Sequence, residues 1–192
     1  MITTKKQLSD ILRQDAKANG RTTTTPSFFG DEVWKFQIAL RKLEYYANMS
    51  PAKRKFCYLA YALAKYKYHH MSVKLNFSIP INVFDAGLAL PHYGTIVVAT
   101  GARIGKNCRI HEGVTIGATN GSSAAASIGD NVFIASGAKI IGEVTIADDV
   151  AIAANAVVTK SITEAGTTWG GVPAKKISDH DSHSNLSRKL FE

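Results

Sequence analysis

The chain has 192 residues and a formal net charge of +8, from 23 Lys and Arg against 15 Asp and Glu. With 45% hydrophobic and 20% charged residues, the composition is that of a globular protein and excludes wholesale disorder. No apolar run is long enough to cross a bilayer and no secretory signal is visible, so we expect a cytoplasmic protein without a transmembrane segment. Two cysteines, Cys57 and Cys108, do not make a disulfide framework or a thiolate metal site.

The positive charge is confined to the first part of the chain. Residues 1–76 carry 14 Lys and Arg against 5 Asp and Glu, a net charge of +9, whereas residues 77–192 carry 9 against 10, a net charge of −1. The composition changes at the same point, from Lys, Tyr, Leu and Ala to Gly, Ile, Val and Ala. We therefore predict a helical N-terminal module at residues 1–75, a second module at 76–173 and a C-terminal tail at 174–192.

The N-terminal module is predicted to contain three helices. The first is capped by Thr3 or Thr4 and ends near Gly20, and the second begins after Asp31 as its N-cap. The third begins at Ser50-Pro51, which supply an N-cap and a first-turn proline, and runs towards His70. The lysines of this helix are predicted to face solvent, and its apolar side consists of Phe56, Leu59, Leu63 and Tyr66.

A period of six governs the second module. Every sixth residue from Val98 to Val158 is Ile or Val, except Ser122. This period fits neither an α-helix nor a single strand, and it is typical of the hexapeptide form of the parallel β-helix. Three hexapeptides make one triangular coil, so residues 18 apart are predicted to stack, for example Ile110, Ile128 and Ile146. The exception lies in a Gly/Ser/Ala-rich stretch, residues 118–127, which is predicted to loop out, and Cys108 is predicted to point inwards rather than to act as a nucleophile.

Three local sequences resemble the serine acetyltransferase type of hexapeptide-repeat acyltransferase. They are GLALPHYGTIVV at 87–98, IGKNCRIHEGVTIGATNG at 104–121, and the stretch from 128 through WGGVPAKKI at 169–177. The resemblance covers residues 76–177 and implies an α+β protein, in which a small helical module precedes a left-handed parallel β-helix. It also implies homotrimers, with acetyl-CoA as co-substrate between subunits and no metal. The helical module is a candidate for pairing trimers into a dimer of trimers.

By this resemblance, His92 is the general base that activates an acceptor hydroxyl. Imidazole suits this task, because its ordinary pKa of about 6.5 lies close to neutral pH and a hydroxyl barely ionises there. A packed, non-catalytic histidine is the alternative that spacing alone favours. The family's aspartate partner of the base, fifteen residues earlier, is replaced by Phe77. Glu112, Asp85 and His111 are therefore the candidates for orienting His92, and an exposed polar corner is the alternative for His111 and Glu112.

Two further departures concern the acceptor. The aspartate that precedes the base and holds serine in the family is Pro91 here, and an Arg-His-Pro segment corresponds to Ala124-Ala125-Ala126. Together with Phe77, these changes remove groups that recognise an amino-acid zwitterion. Similar proteins with Pro-His resemble acetyltransferases of surface-polysaccharide pathways, so a sugar hydroxyl is the expected acceptor, and L-serine for cysteine synthesis is the alternative.

The resemblance also indicates where CoA binds. Small residues that let the thin pantetheine chain approach the backbone, and lysines for its phosphates, are expected to form this site, with ordinary surface lysines as the alternative. These residues are Gly117, Ala118, Ala135, Ser136, Ala153, Ala154, Lys160, Lys175 and Lys176.

Other functions remain open from the sequence. A β-helix zinc enzyme needs three converging histidines, whereas only His92 and His111 lie in the repeat region. The tail segment at 180–183, HDSH, is a weak metal candidate that is expected to be solvated. A non-catalytic scaffold or a nucleic-acid binder would use the basic module, in which tyrosines alternate with lysines, but no nucleic-acid motif accompanies them, so no nucleic-acid partner is expected.

Overall fold

The computed structural model describes all 192 residues. Four helices come first: α1 (Lys5–Ala18), α2 (Glu32–Ala47), α3 (Pro51–Phe56) and α4 (Tyr58–Leu75). The first begins where the sequence predicts, because Thr4 forms a capping box with Gln7. Asp31 occupies the N-cap position of α2, but its carboxylate accepts hydrogen bonds from the Arg21 guanidinium and none from the first turn of the helix. None of the helices is both long and apolar enough to cross a bilayer.

The predicted third helix is two helices, and its packing side differs from the prediction. Cys57 interrupts it between α3 and α4. The apolar side predicted from Phe56 and Leu59 is exposed, at 94% and 73%, whereas Ala64 and Leu75 are buried in a helix that packs on α2. Both sides of α4 are apolar, so hydrophobic periodicity alone does not identify which side packs.

Thirteen short strands follow, and they stack into three parallel faces. The strands are β1 (Phe77–Ser78), β2 (Ile96–Val98), β3 (Arg103–Ile104), β4 (Arg109–Ile110), β5 (Thr115–Gly117), β6 (Ser127–Ile128), β7 (Phe133–Ile134), β8 (Lys139–Ile141), β9 (Thr145–Ile146), β10 (Ala151–Ile152), β11 (Val157–Val158), β12 (Thr168–Gly170) and β13 (Lys175–Ser178). The faces have the orders β1-β2-β5-β8-β11, β4-β7-β10-β12-β13 and β3-β6-β9. All pairings are parallel except that of β12 with β13.

The period of six predicts the core of the β-helix. All ten Ile and Val residues of the repeat are at most 4% exposed. Each buried aliphatic side chain contributes roughly 1.5–3 kcal/mol. The predicted stacking of Ile110 on Ile128 is wrong, because Ile110 pairs with Ile134 and Ile128 pairs with Ile104. The loop before β6 lengthens that coil to 24 residues, since Arg103 pairs with Ser127, and the spacing of 18 returns after it.

One hydrophobic core joins the helices to the β-helix. Helix α4 ends at Leu75 and β1 begins at Phe77, which is where the boundary between modules is predicted. Phe36 of α2 nevertheless packs against Phe77, with 5.0 Å between ring centroids. The division of the chain into a helical module at 1–75 and a repeat module at 76–173 stays a prediction.

Buried charges fix α1 and α2 to the first coil. The Arg41 guanidinium is 1% exposed and pairs with Asp15 and Glu44. It also donates to the carbonyls of Phe84 and Asp85. Although burial lowers the pKa of Arg41, the Asp15 and Glu44 carboxylates raise it above its usual value. The pairs therefore keep the guanidinium charged.

The C-terminal segment at 174–192, predicted as a tail, contains secondary structure and packs on the β-helix. Strand β13 covers the last coil by pairing with β12. The chain then returns along the β-helix, where Ser182 N–H donates to the Asp149 carbonyl and Leu186 is buried. At its end Lys189 Nζ donates to the Gly20 carbonyl at 2.8 Å. The C-terminal segment thus reaches the end of α1.

Candidate active site

The candidate base lies at an outer corner of the β-helix. His92 follows Ala89, which bridges to Arg109, and its imidazole is exposed. No hydrogen bond occupies either of its ring nitrogens, since none of the side-chain bonds involves His92. The sequence alternative of a packed histidine therefore does not describe this residue. An exposed imidazole with a free lone pair is able to accept a proton.

Glu112 and His111 share this corner with His92. Each of the three side chains has one imidazole nitrogen or carboxylate oxygen in this group, and these three atoms lie within 4.8 Å of one another. Glu112 precedes Gly113, whose φ of +77° turns the chain. A side chain at Gly113 would approach the Gly137 backbone to 3.1 Å, so glycine is required for the coils to stack here. This corner geometry brings the two candidates His111 and Glu112 to His92.

His111 is held from both sides. Arg109 Nε donates to its Nε2 at 3.3 Å, and Ser136 Oγ lies 3.5 Å from its Nδ1. Burial lowers the pKa of His111, as does the charge of Arg109, while Glu112 opposes them. His111 is therefore neutral at pH 7, with Nε2 as the acceptor.

Glu112 is the negative group of the corner. The Ser136 hydroxyl lowers the pKa of the Glu112 carboxyl, and the nearby charges of His92 and His111 act in the same direction. Its Oε2 atom is buried and has no hydrogen-bond partner. A carboxylate with a free oxygen can stabilise a positive charge that develops beside it.

Asp85, the remaining orienting candidate, is placed elsewhere. It follows Phe84, which bridges to Ile104 on a different face. Its carboxylate accepts from the Ala86 N–H, and it lines a cavity together with Arg103 and Glu44. The structure therefore does not bring Asp85 into the group around His92.

The residues predicted for CoA fall into three places. Ser136 and Ala154 follow Glu112 in the same corner column, because Arg109, Phe133 and Ala151 are in register. Ala135 and Ala153 precede them, whereas Gly117 and Ala118 lie at the other end of β5. Of the lysines, Lys160 and Lys175 are exposed without ion pairs, while Lys176 pairs with Glu164 and Asp179, at 2.5 Å each.

Two histidines and a glutamate are also a possible metal-ligand set. Catalytic zinc sites use such triads with one open position. The zinc alternative from the sequence expected a third histidine, and the structure places Glu112 beside the two histidines instead. At the other end of the chain, His183 Nε2 lies 2.8 Å from an Asp149 oxygen, so this histidine of the HDSH segment packs on the β-helix.

Comparisons with known proteins identify the fold and its family. A family model described as bacterial transferase hexapeptide (six repeats) matches residues 125–160. A serine acetyltransferase of Helicobacter pylori strain J99 is 32% identical over 127 residues, which are 65% of this chain and 72% of that protein. One from Staphylococcus xylosus is 36% identical over 114 residues, 55% of this chain and 52% of that protein. The chain belongs to the serine acetyltransferase family.

Solved serine acetyltransferases share its architecture. The Brucella abortus enzyme superposes with a TM-score of 0.70 at 25% identity, covering 93% of this chain and 72% of that one. A serine acetyltransferase in complex with CoA gives 0.68 at 23% identity, covering 90% and 71%. The predicted class is thus confirmed: a small N-terminal helical module precedes a left-handed parallel β-helix. The chain spans about half the length of the first curated relatives, 52% for that of S. xylosus.

Within the serine acetyltransferase family, the structure shows what the departures of this chain do. Phe77 is buried in the core, so it does not replace a carboxylate that orients the base. Ala125 and Ala126 are also buried, and the loop before them contributes no charged side chain. Arg109, which contacts His111, was not among the residues predicted from the sequence. The available signal was its position, since it is a charged residue directly before the buried repeat residue Ile110.

Proposed function

We propose that this protein is an acetyl-CoA-dependent O-acetyltransferase and that His92 is its general base. The observation that carries the proposal is the free imidazole of His92 beside Glu112, at a corner of a serine acetyltransferase-type β-helix. The family indicates the class of reaction, and the geometry supports His92 as the group that removes the proton from the acceptor hydroxyl.

The proposed reaction is one direct transfer. His92 accepts the proton of the acceptor hydroxyl as its oxygen attacks the thioester carbonyl of acetyl-CoA. The tetrahedral intermediate then collapses, the carbon–sulfur bond breaks, and the imidazolium returns the proton to the CoA thiolate. The backbone N–H groups of Ser136 and Ala154 have no backbone acceptor, so they are candidate donors to the oxyanion. No acyl-enzyme is required.

Glu112 is the proposed positioning residue for this step. Its carboxylate lies within reach of both imidazoles and carries negative charge at neutral pH, since its pKa is lowered. It thereby favours the imidazolium form of His92 while the proton is held. His111, bonded to Arg109, limits the space into which the His92 ring can turn.

The proposed CoA site follows the corner column and uses the predicted small residues. Ser136 and Ala154 stack directly on the coil of Glu112, so a pantetheine chain along them would end beside His92. Lys160 and Lys175 are available for the phosphates, whereas Lys176 already holds two carboxylates. Because Gly117 and Ala118 lie at the opposite end of β5, they would join this site only from a second subunit.

L-serine is the acceptor that the comparisons favour. The relatives and solved structures of the same fold are named serine acetyltransferases. We accordingly propose serine first and the sugar hydroxyl second, which reverses the order expected from the sequence.

A sugar hydroxyl remains the second candidate because of specific residues. Pro91 directly precedes the base and offers neither charge nor a hydrogen-bond donor. Ala124, Ala125 and Ala126 stand where the family presents Arg-His-Pro, and the last two are buried. These positions lack the groups that would hold an amino-acid zwitterion in the family's manner.

We also propose that the chain assembles as a homotrimer, and that the helices pair trimers further. The exposed apolar side of α3 and α4 supports the second step, because Phe56 and Leu59 are largely exposed in the single chain and apolar surface of this kind marks contact sites. Light scattering after gel filtration tests the assembly. Phe56→Ser is expected to leave trimers where the unaltered protein forms hexamers.

The test of the proposed function is release of CoA thiol from acetyl-CoA. The purified protein is offered L-serine in one arm and a panel of sugars and nucleotide sugars in the other. Saturable turnover with serine supports the first acceptor, and saturable turnover only with a sugar supports the second. Acetyl-CoA binding without turnover in either arm would favour a scaffold, and no binding at all would contradict the proposal.

A further inference from the structure

One arginine beside the candidate base lacks an acidic partner. Arg109 is half-buried, and the only hydrogen bond of its side chain is the 3.3 Å contact from Nε to His111. Its two terminal nitrogens have no protein acceptor. Burial lowers the pKa of Arg109, and no carboxylate opposes this effect. A partly desolvated guanidinium without a counter-charge attracts an anion.

Arg109 is unusual among the interior arginines of the chain. Arg41 is paired with Asp15 and Glu44, and Arg21 is paired with Asp31. The charge of each is therefore balanced within the protein. Arg54 is also half-buried and has no carboxylate partner, but one of its terminal nitrogens donates to the Ala47 carbonyl. Arg109 is the one at which neither terminal nitrogen has a protein acceptor, and it lies next to the proposed chemistry.

A small cavity of about 170 Å³ opens at this guanidinium. It lies between the end of α1, the returning C-terminal segment and the first coil, and it contains no acidic residue. Its lining includes Asn19, Ala89, Pro91, Arg109 and Ser187. Lys189 adds a second positive charge at the edge, where its ammonium is anchored to the carbonyl of Gly20, a further lining residue.

The position of the cavity relates it to the acceptor. Pro91 lines the cavity and directly precedes His92 in the chain, and His111 contacts both the Arg109 guanidinium and the His92 ring. Because Pro91 borders both places, a molecule with its hydroxyl at His92 would reach the cavity along this residue. An apolar proline at this point allows the molecule to pass without an additional charged contact.

We infer that Arg109 and this cavity bind an anionic group of the acceptor, a carboxylate or a phosphate, and so determine which hydroxyl is acetylated. The inference rests on the proposed function. Both kinds of anion present two or more oxygens to the guanidinium fork. An amino acid supplies a carboxylate, and a sugar phosphate or nucleotide sugar supplies a phosphate. This site replaces the charged groups that are absent at Pro91 and Ala124–Ala126.

The test compares acceptors in pairs that differ only in the anion. One pair is L-serine and L-serinamide, and the other is a sugar 1-phosphate and the methyl glycoside of the same sugar. The unaltered protein is expected to show a KM for the anionic member that is lower by about ten- to a hundredfold, the usual range for a charged hydrogen bond. The pair that shows this difference identifies the source of the anion.

Arg109→Gln and Arg103→Gln make a matched pair of variants. Both arginines occupy the same position of a hexapeptide, directly before a buried isoleucine, but Arg103 lines a different cavity. Arg109→Gln is expected to abolish the difference in KM between the paired acceptors, whereas Arg103→Gln is expected to retain it. If Arg109→Gln lowers kcat equally for both members and leaves the KM ratio intact, Arg109 acts only through His111 and the inference is wrong.

A binding measurement separates this inference from the proposed reaction. Inorganic phosphate is titrated into the folded proteins and followed by NMR. Saturable binding that Arg109→Gln removes and Arg103→Gln retains supports the anion site even if no acceptor turns over, in which case the proposed function alone fails. If the unaltered protein shows neither saturable phosphate binding nor a preference for anionic acceptors, the inference is overturned.

Discussion

The rings of His92 and His111 meet edge to face, with 5.5 Å between their centroids. Their surroundings differ sharply: His111 contacts Arg109 and Ser136, while the nitrogens of His92 are free. The two histidines therefore have different roles. His92 is available to move a proton, and His111 is a neutral neighbour whose position is fixed.

Glu112→Gln tests the positioning role of the carboxylate. The amide keeps the shape of the side chain but removes the negative charge beside His92, so the imidazolium that forms during transfer is less stable. We expect kcat to fall by about tenfold, which is part of the 10²–10⁴ that general base catalysis contributes, with little change in the KM for acetyl-CoA. Steady-state thiol release measures both.

Glu143→Gln is the matched control, because Glu143 is exposed and makes no ion pair. It is expected to match the unaltered protein. An unchanged kcat in Glu112→Gln as well would remove Glu112 from the mechanism and leave His92 to act alone.

The titration of His111 gives a pH prediction. Burial, and then the charge of Arg109, hold the pKa of His111 below its usual value, and Glu112 acts in the opposite direction. Arg109→Gln is therefore expected to raise this pKa and Glu112→Gln to lower it further, as followed by NMR of the imidazole carbons. Equal titration curves in all three proteins would show that these contacts are absent in solution.

The same shift has a consequence for stability. The unfolded chain protonates His111 at a higher pH than the folded chain does, so the unfolded state binds more protons between the lowered pKa and about 6.5. The contribution of His111 to folding therefore becomes unfavourable as the pH falls through this window. Arg109→Gln is expected to reduce the loss, measured as the urea midpoint against pH.

Arg41→Met tests the buried charges that join the helices to the first coil. The substitution leaves the carboxylates of Asp15 and Glu44 buried without their cation, which costs about 3–5 kcal/mol. Urea unfolding measures the loss. Arg13→Met is the control, since its pair with Asp10 is exposed and its removal is expected to leave the midpoint unchanged. A similarly small effect for Arg41→Met would contradict the importance assigned to this network.

Cysteine labelling tests the register of the β-helix. Cys108 is fully buried, and burial raises the pKa of its thiol to about 12, so it is expected to resist iodoacetamide in the native protein. Cys57 lies between α3 and α4 and is partly exposed, so it is expected to react. Mass spectrometry of tryptic peptides distinguishes the two. Rapid native labelling of Cys108 would mean that this coil is open or wrongly registered.

Most of the fold could be predicted from the sequence, because every sixth residue of the repeat occupies the same buried position in the β-helix. The buried column from Val98 to Val158 appears directly in the periodicity. The pairing of Ile110 with Ile134 could not be predicted, since the loop marked by Ser122 lengthens its coil by one whole repeat and leaves the phase of the pattern unchanged. The exposure of Leu59 was also missed, because α4 is apolar on two sides.

The site was predictable only in part. The resemblance predicts His92 as the base, and the structure places the candidates His111 and Glu112 beside it in space. Asp85 does not, because the corner that it occupies belongs to another face, and residue spacing does not show this before the coils are in register. Arg109 was not singled out, because its lack of an acidic partner can be seen only in the folded structure.

The central claim is that His92 transfers the proton, and the kinetics of His92→Asn test it most directly. The measurement is kcat for thiol release from acetyl-CoA with the acceptor that the unaltered protein uses, together with the binding of acetyl-CoA. We predict a fall in kcat of about 10²–10⁴ with acetyl-CoA binding preserved. A kcat within a few-fold of the unaltered protein would contradict the role of His92.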